Sequence, residues 1–319
     1  MTARSGLPLV TGAAGFAGGH LVEHLLENEA AVAAWGHGPV PPASQASERV
    51  SWTTVDITDA EAVAAALAKT RPSAVFHCAG IADVHSTWSD SATALRVNVL
   101  GTHNLLTALE RLELDAPVLI TGSALVYRPS DTALSEDSPI GPASPYGVSK
   151  LAQELVGLAA RGRVIVTRPF NHAGPRQAPA YATSSFARQI VEAEAGIREP
   201  VLEVGNLDAR RDITDVRDTV RAYRLLMEKG QAGRPYNVCR GEAFRVGDLL
   251  EALVRQSKAA IEVRTDPARL RPNDMPLLLG DPSRLAHDTG WSPRIPIEQT
   301  LRDLLDYWRQ MVSGKGLPH

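Results

Sequence analysis

The first half of the chain alternates short apolar runs with longer segments whose hydrophobic residues recur at helical spacing. The apolar runs, which have the length of buried strands, cover residues 7–10, 30–35, 50–55, 74–77, 118–121 and 164–168. The helical segments between them cover residues 16–27, 60–69, 91–112 and 150–160. Strands that alternate with helices in this way predict an α/β fold with a doubly wound parallel sheet.

After Pro169 the pattern changes to shorter elements that lie between segments rich in proline and glycine. Helices are predicted at residues 186–195, 218–229, 246–256 and 296–310, and strands at residues 201–204, 236–238 and 261–263. We therefore predict two domains, residues 1–169 with the parallel sheet and residues 170–319 with a smaller α/β arrangement. The boundary is approximate, and we expect some strands and helices to be interleaved.

Composition and charge indicate a globular protein and argue against nucleic-acid and membrane partners. Of 319 residues, 44% are hydrophobic and 22% are charged, which is typical of a globular protein. A net charge of −3 gives no basic excess for nucleic acid or an acidic membrane surface, so neither partner is expected. Two cysteines, no long apolar span and no apolar signal segment at the N-terminus predict a cytoplasmic protein.

Three glycines follow the first strand at the point where the first helix begins. Gly12, Gly15 and Gly18 form a G-x-x-G-x-x-G pattern, and Phe16 lies at the start of the helix. Glycines here permit a tight turn, a close approach of backbone amides to a pyrophosphate, and close packing of the helix on the sheet. The helix N-terminus adds free amides and partial positive charge. This context predicts a dinucleotide-binding turn in residues 1–169, with all four residues in contact with the cofactor.

A second pattern places three polar side chains where acid–base chemistry is possible. Tyr146 and Lys150 are four residues apart in a predicted helix, so they share one face. A nearby ammonium is expected to lower the phenol pKa from about 10, which would make Tyr146 usable as an acid or base. Ser123 follows the strand at residues 118–121. We predict that Ser123, Tyr146 and Lys150 are the catalytic residues.

Together these motifs resemble the extended branch of the short-chain dehydrogenase/reductase superfamily, also called the NAD-dependent epimerase/dehydratase family. The resemblance implies a Rossmann-type nucleotide-binding domain and a nicotinamide cofactor that contacts Tyr146 and Lys150. It also implies that Asp56 and Ile57 contact the adenine, and that Ala79 and Gly80 pass under the cofactor. An equally weighted alternative for Asp56 is a cap at the end of a strand.

The same resemblance implies a homodimer formed through two helices per subunit, around residues 91–112 and 147–160.

The choice between NAD(H) and NADP(H) stays open. About 20 residues beyond the glycines, where an acid would select NAD, residues 35–38 contain none. His37 or Arg49 could contact a 2′-phosphate. We lean slightly toward NADP(H).

Segments in the second half resemble GDP-mannose 4,6-dehydratases and GDP-4-keto-6-deoxy-D-mannose reductases. These segments are residues 168–177, 205–212, 215–218, 269–274, 280–282 and 290–293. A GDP-sugar substrate is therefore implied. Arginine forks suit diphosphates, which makes Arg211 and Arg271 the candidates for that group. Asn171, Asn206 and His85 are further candidates for substrate contacts, although the arginines could instead form ion pairs and His85 could pack.

Position 125 bears on the reaction. The dehydratases that resemble residues 120–127 carry a glutamate where this chain has Leu125, so we predict reduction of a 4-keto sugar rather than dehydration. The product would be GDP-D-rhamnose or GDP-6-deoxy-D-talose. A 4-epimerase with tightly bound NAD is the main alternative, and a 4,6-dehydratase would need another acid such as Glu136. A non-enzymatic sensor is disfavoured because all three catalytic residues are present.

Two histidines could suggest a metal site. His20 and His24 are four residues apart in the first predicted helix and share a face. No glutamate completes an H-E-x-x-H pattern, and two ligands do not make a zinc site. We expect no metal.

Overall fold

Seven parallel strands form the central sheet of the computed structural model, which describes residues 6–38, 47–269 and 275–314. The strands are β1 Pro8–Thr11, β2 Val32–Gly36, β3 Val50–Thr54, β4 Ala74–His77, β5 Val118–Thr121, β6 Val164–Pro169 and β10 Pro235–Val238. Their order is β10-β6-β5-β4-β1-β2-β3, and every neighbouring pair is parallel. The predicted doubly wound parallel sheet is confirmed. The order reverses between β1 and β4, which is where ligands bind in such sheets.

The helices that follow these strands begin close to their predicted positions. They are α1 Phe16–Leu26, α2 Ala60–Thr70, α3 Ser86–Ser89, α4 Ser91–Leu95, α5 Gly101–Arg111 and α6 Pro145–Ala159. Asp59 caps α2, because its carboxylate accepts hydrogen bonds from the backbone amides of Glu61 and Ala62 at 3.0 Å. The segment predicted as one helix over residues 91–112 is interrupted by a π-helical turn at Arg96–Leu100.

The chain beyond residue 169 adds helices α7 Ala182–Glu194, α8 Val216–Lys229, α9 Val246–Val254, α10 Ser283–Thr289 and α11 Ile297–Val312. Its other strands are β7 Asn171–Ala173, β8 Val201–Val204, β9 Arg210–Asp215, β11 Ala243–Arg245, β12 Glu262–Thr265 and β13 Leu277–Leu278. Strand β9 pairs with β7, β11 and β13, while β8 pairs with β12. Of these, only β8 and β12 match strands predicted from the sequence.

Among the four clusters of buried apolar residues in the described part of the chain, the three largest support this arrangement. One lies on the face of the large sheet covered by α1 and α8, and a second lies on the opposite face under α2 and α5. A third fills the space between α7, α9 and α11. Elements from beyond residue 169, namely β10, α8 and Trp291, therefore complete the first core. None of the helices described here has both the length and the apolar character needed to span a bilayer.

Candidate active site

The glycine turn between β1 and α1 is packed so tightly that side chains would not fit at two of its positions. Gly12 has a φ of +65°, and a Cβ there would lie 2.6 Å from the Ala79 amide nitrogen. A Cβ on Gly18 would lie 2.2 Å from the Gly12 carbonyl oxygen. Gly15 is exposed at the start of α1, where no described side chain caps the helix. The N-terminus of α1 at this tight turn fits the pyrophosphate of a dinucleotide.

The loop after β4 lies beside this turn. The Ala79 amide donates a hydrogen bond to Thr11 Oγ1 at 3.2 Å. A Cβ on Gly80 would lie 2.7 Å from Asn98 Oδ1 and 3.2 Å from Lys150 Nζ. Glycine at position 80 therefore lets two polar side chains approach the loop that the resemblance places under the cofactor.

Ser123 and Tyr146 meet at the carboxyl end of β5. The Ser123 side chain caps a short 3₁₀ turn by accepting a hydrogen bond from the Leu125 amide at 3.1 Å. The Ser123 hydroxyl also acts on the Tyr146 phenol, whose pKa it lowers against the effect of burial. Ser144 caps α6 and Pro145 occupies its first turn, so the helix begins directly before Tyr146. The structure thus brings two of the three predicted catalytic side chains close together.

The expected lowering of the Tyr146 pKa by Lys150 is wrong for this structure. Burial raises the pKa of Tyr146 above its ordinary value, and the Ser123 hydroxyl offsets only part of that effect. The Lys150 ammonium is turned toward the Thr121 carbonyl, at 3.0 Å, and toward Gln153 Oε1, at 2.9 Å. Burial lowers the pKa of Lys150 to about 8. Desolvation therefore sets the direction of both pKa shifts.

The adenine side of the site carries the other predicted cofactor residues. Asp56 is exposed, and its Oδ1 accepts hydrogen bonds from the amide and hydroxyl of Thr58 at 2.8 and 2.7 Å, which is the capping alternative. Ile57 is buried, and His37 is exposed near Asp56. Arg49 has protein partners: its guanidinium donates to three backbone carbonyls at the end of α1 and just beyond it.

Asn98 is a site residue that the sequence analysis missed. It lies in the π-helical turn, and its Oδ1 accepts a hydrogen bond from the Ile81 amide at 2.8 Å. Its Nδ2 donates to Ser149 Oγ at 2.9 Å, and Ser149 donates to the Tyr146 carbonyl at 2.8 Å. Asn98 therefore ties the loop after β4 to the helix that carries Tyr146. A π-helical turn often marks a functional site, but periodicity does not reveal one.

The predicted substrate contacts lie on several elements. Asn171 is exposed on β7, and His85 is exposed directly before α3. Asn206 Oδ1 accepts a hydrogen bond from the Asp208 amide at 3.0 Å. Arg211, on β9, donates to the Met275 carbonyl at 2.7 Å. Arg271 lies outside the described residues.

Two contacts connect the glycine turn to the segment after β7. The ring of Phe16 stacks on His172 with centroids 5.6 Å apart. Arg176, which has a φ of +71°, forms a bidentate ion pair with Glu23 of α1. The helix that begins at the cofactor turn is thereby fixed to a segment of the substrate side. Neither pairing follows from the sequence, because the partners are more than 150 residues apart.

Glu136, one acid that could have served a dehydratase in place of a glutamate at position 125, is engaged elsewhere. Its Oε1 accepts a hydrogen bond from the Asn237 amide at 2.8 Å, and its Oε2 lies 3.6 Å from Arg284. Burial raises its pKa. Leu125, which follows Ser123 by two residues, contributes a half-buried apolar side chain. Position 125 supplies no acid, and the carboxylate of Glu136 is held by partners of its own.

The two histidines of α1 also have protein partners. His20 Nε2 is hydrogen bonded to the Pro175 carbonyl at 2.9 Å, and His24 lies 3.1 Å from Glu27. Within the part of the chain that the structure describes, no three potential ligand side chains cluster as a metal site.

The fold and these residues define an oxidoreductase of the extended short-chain dehydrogenase/reductase class. More specifically, the chain belongs to the GDP-mannose 4,6-dehydratase family, whose model matches residues 9–304. It is 37% identical to the GDP-6-deoxy-D-mannose reductase of Pseudomonas aeruginosa, over 95% of this chain and 97% of that protein. It is 28% identical to the GDP-6-deoxy-D-talose 4-dehydrogenase of Aggregatibacter actinomycetemcomitans, over 88% and 90% of the two chains.

A solved structure of RMD from P. aeruginosa in complex with NADPH is similar to this chain throughout. The two share 34% identity and a TM-score of 0.85, and the match covers 96% of this chain and 100% of the other.

Proposed function

We propose that this chain is an NADPH-dependent reductase of GDP-4-keto-6-deoxy-D-mannose, which gives GDP-D-rhamnose or GDP-6-deoxy-D-talose. The observation that carries the proposal is the placement of the Ser123 hydroxyl beside the Tyr146 phenol at the end of β5. Lys150 lies on the same helix face as Tyr146. The similarity to the P. aeruginosa reductase supports the substrate, and that to the NADPH complex supports the cofactor.

Each catalytic residue has a role in reducing a ketone. When bound, the nicotinamide supplies the hydride that adds to C4 of the sugar. Ser123 orients the ketone oxygen, and Tyr146 gives its phenolic proton to that oxygen as it becomes a hydroxyl. Lys150 stabilises the phenolate that remains and holds the nicotinamide ribose. Because burial raises the pKa of Tyr146, the proton is in place at neutral pH.

The other predicted contacts follow from this assignment. Residues up to about 169 bind the dinucleotide, with Gly15 and Gly18 at the pyrophosphate and Ile57 near the adenine. Residues from about 170 onward supply most of the sugar-nucleotide contacts. We propose Arg211 and Arg271 for the diphosphate and Asn171, Asn206 and His85 for the sugar and nucleoside.

We also propose that the protein is a cytoplasmic homodimer. Exposed apolar side chains on the two helical regions expected at the interface support this state: Leu95, Leu100, Val148 and Leu155 are 43–57% exposed. Gel filtration should give a dimer, and Leu155→Arg should give a monomer. Ile197→Arg, a substitution at a 64% exposed position outside these helices, should leave the dimer intact. A wild-type protein that elutes only as a monomer would contradict the proposal.

The activity test follows absorbance at 340 nm after GDP-4-keto-6-deoxy-D-mannose is generated in place by a separate dehydratase. We expect the absorbance to fall when NADPH is present. The same assay with NADH gives the cofactor preference, and NMR of the product gives the configuration at C4. Tyr146→Phe should slow turnover by about 10²–10⁴-fold and keep NADPH binding, whereas Tyr307→Phe, on α11, should not change turnover. Full turnover by Tyr146→Phe would refute the assignment. No oxidation of either cofactor, with NAD retained through purification, would indicate an epimerase.

A further inference from the structure

A network of hydrogen-bonded, buried side chains leads away from Lys150 into the sheet. Lys150 Nζ donates to Gln153 Oε1 at 2.9 Å, and Gln153 Nε2 donates to Thr102 Oγ1 at 2.9 Å. Thr102 Oγ1 in turn lies 2.9 Å from Nε2 of His77, on β4. All three residues beyond Lys150 are fully buried. The mechanism above uses none of them.

The direction of each hydrogen bond in this network is fixed. An ammonium can only donate, so the oxygen of the Gln153 amide must face Lys150 and its nitrogen must face Thr102. The single hydroxyl proton of Thr102 goes to the Asn98 carbonyl, at 2.7 Å. Thr102 Oγ1 is therefore an acceptor toward both Gln153 and His77, and Nε2 of His77 must carry a proton.

The far end of the network reaches the loop after β4, which the resemblance places under the cofactor. Burial lowers the pKa of His77 to about 3, so the ring is neutral and its Nδ1 is an acceptor. Thr11 Oγ1 then donates to Nδ1 at 2.8 Å and accepts from the Ala79 amide at 3.2 Å. A protonated His77 would present two donors and break the bond from Thr11. The network therefore has one satisfied arrangement, which runs from the Ala79 amide to the Lys150 ammonium.

We propose that Gln153 is a positioning residue, whose amide holds the Lys150 ammonium in register with the loop after β4 through Thr102, His77 and Thr11. The proposal rests on the proposed function for its consequence in catalysis. The geometry itself depends only on the hydrogen bonds of the protein. Gln153 acts on the reaction through Lys150 and does not itself contact the reacting atoms.

Two substitutions should move the titration of Lys150 in opposite directions. The ionisable groups that face the ammonium are His77 and Cys78 from the β4 side, with Tyr146 on its own helix. The pKa of His77 is lowered, whereas those of Cys78 and Tyr146 are raised, so all three are neutral near pH 7. Gln153→Glu adds the only carboxylate to this set and should raise the pKa of Lys150. Gln153→Met removes the acceptor and should lower it.

The protein has five lysines, Lys69, Lys150, Lys229, Lys258 and Lys315, so ¹³C NMR of protein labelled at lysine Cε can follow each one. Lys150→Arg assigns its resonance. We expect Lys150 to titrate near pH 8 in the wild type, about one unit higher in Gln153→Glu and about one unit lower in Gln153→Met. The alkaline limb of kcat/KM for sugar reduction should move with the NMR titration.

Gln189→Met is the matched control, because Gln189 is a buried glutamine whose amide bonds the backbone of Glu203, in strand β8. It should leave the Lys150 titration unchanged. Titration of Lys150 at the wild-type pH in the Gln153 variants, or a shift in one direction for both, would overturn the proposal. If Gln153→Glu does not fold, the lowered pKa of Lys150 expected in Gln153→Met tests the proposal by itself. Since the NMR experiment needs neither cofactor nor sugar, its result stands whether or not the enzyme reduces the proposed substrate.

Discussion

Replacement of Gly18 by alanine tests whether close packing at the start of α1 is what shapes the cofactor turn. The new Cβ would lie 2.2 Å from the Gly12 carbonyl oxygen, 2.9 Å from the Gly12 carbonyl carbon and 3.0 Å from Ala13 Cα. All three atoms belong to the backbone, so no side chain can rotate out of the way. Ordinary contact begins near 3.4 Å, and the turn and the helix must therefore separate by about 1 Å.

The expected magnitude combines three effects. Forcing a methyl group into a packed site costs about 1–3 kcal/mol, and alanine in a helix gains about 1 kcal/mol over glycine. The free energy of unfolding should thus fall by about 0–2 kcal/mol. The displaced turn should lose at least one hydrogen bond to a charged phosphate, worth about 1.5–3 kcal/mol, so NADPH should bind about 10–100-fold more weakly.

The neighbouring residue provides the control. A Cβ on Gly19 would meet only the Ala13 carbonyl oxygen, at an ordinary 3.6 Å. Gly19→Ala should therefore stabilise the protein by up to about 1 kcal/mol and leave NADPH affinity unchanged. The assays are urea unfolding and titration of NADPH by fluorescence. If Gly18→Ala binds NADPH as tightly as Gly19→Ala, the packing of the turn does not control the cofactor site.

Three further predictions concern stability. Burial lowers the pKa of His20 to about 4 and of His77 to about 3, so each contributes stability above pH 6.5 that is lost on acidification. Urea unfolding should show a loss of about 1.4 kcal/mol per pH unit for each histidine between pH 6.5 and 4; a flat profile would contradict this. Glu154→Gln should cost about 3–5 kcal/mol in the same assay, because it leaves the buried Arg168 without its bidentate carboxylate. Arg49→Met should cost about 1 kcal/mol by removing hydrogen bonds to backbone carbonyls, and it should not change the ratio of NADPH to NADH affinity; a changed ratio would restore Arg49 as a phosphate ligand.

The alternating pattern predicts the large sheet well because most of its strands are buried on both faces and therefore appear as continuous apolar runs; the exception is the edge strand β3. It fails in the second half for two physical reasons. Strands β7, β11 and β13 have only two or three residues, which is too short for any periodicity. Strand β9 is rich in charged residues and was predicted as a ligand-binding segment, yet Asp212 and Thr214 within it are fully buried.

Asp212 shows how such a strand is stabilised. Its carboxylate accepts hydrogen bonds from the backbone amides of Arg240, Gly241 and Gly280, which belong to loops far away in sequence. A buried carboxylate is tolerated when its hydrogen bonds are satisfied, but those partners are set by the fold. Hydrophobic periodicity therefore does not identify this strand.

The catalytic motif is predictable because its chemistry requires particular side chains at a fixed helical spacing. The groups around it are not, since Asn98, Thr102 and Gln153 belong to no local pattern and become neighbours only when two helices pack against β4. The pKa of Tyr146 was predicted in the wrong direction for a similar reason. Spacing on a helix gives the proximity of a charge, but burial, which dominates here, depends on the whole fold.

The protonation states in this site bear on the direction of the reaction. An epimerase must begin by oxidising the sugar, which requires a phenolate at Tyr146 to accept a proton. Burial here raises the pKa of Tyr146, whereas Lys150 stays charged up to about pH 8. A neutral phenol beside an ammonium is the arrangement that reduction requires at its start, because the phenol gives up its proton and the ammonium then stabilises the phenolate. Turnover in the reductive direction should therefore be constant from pH 6 to about 7.5 and fall above pH 8. A rise in reductive turnover above pH 8 would show that the phenolate, and not the phenol, is the active form.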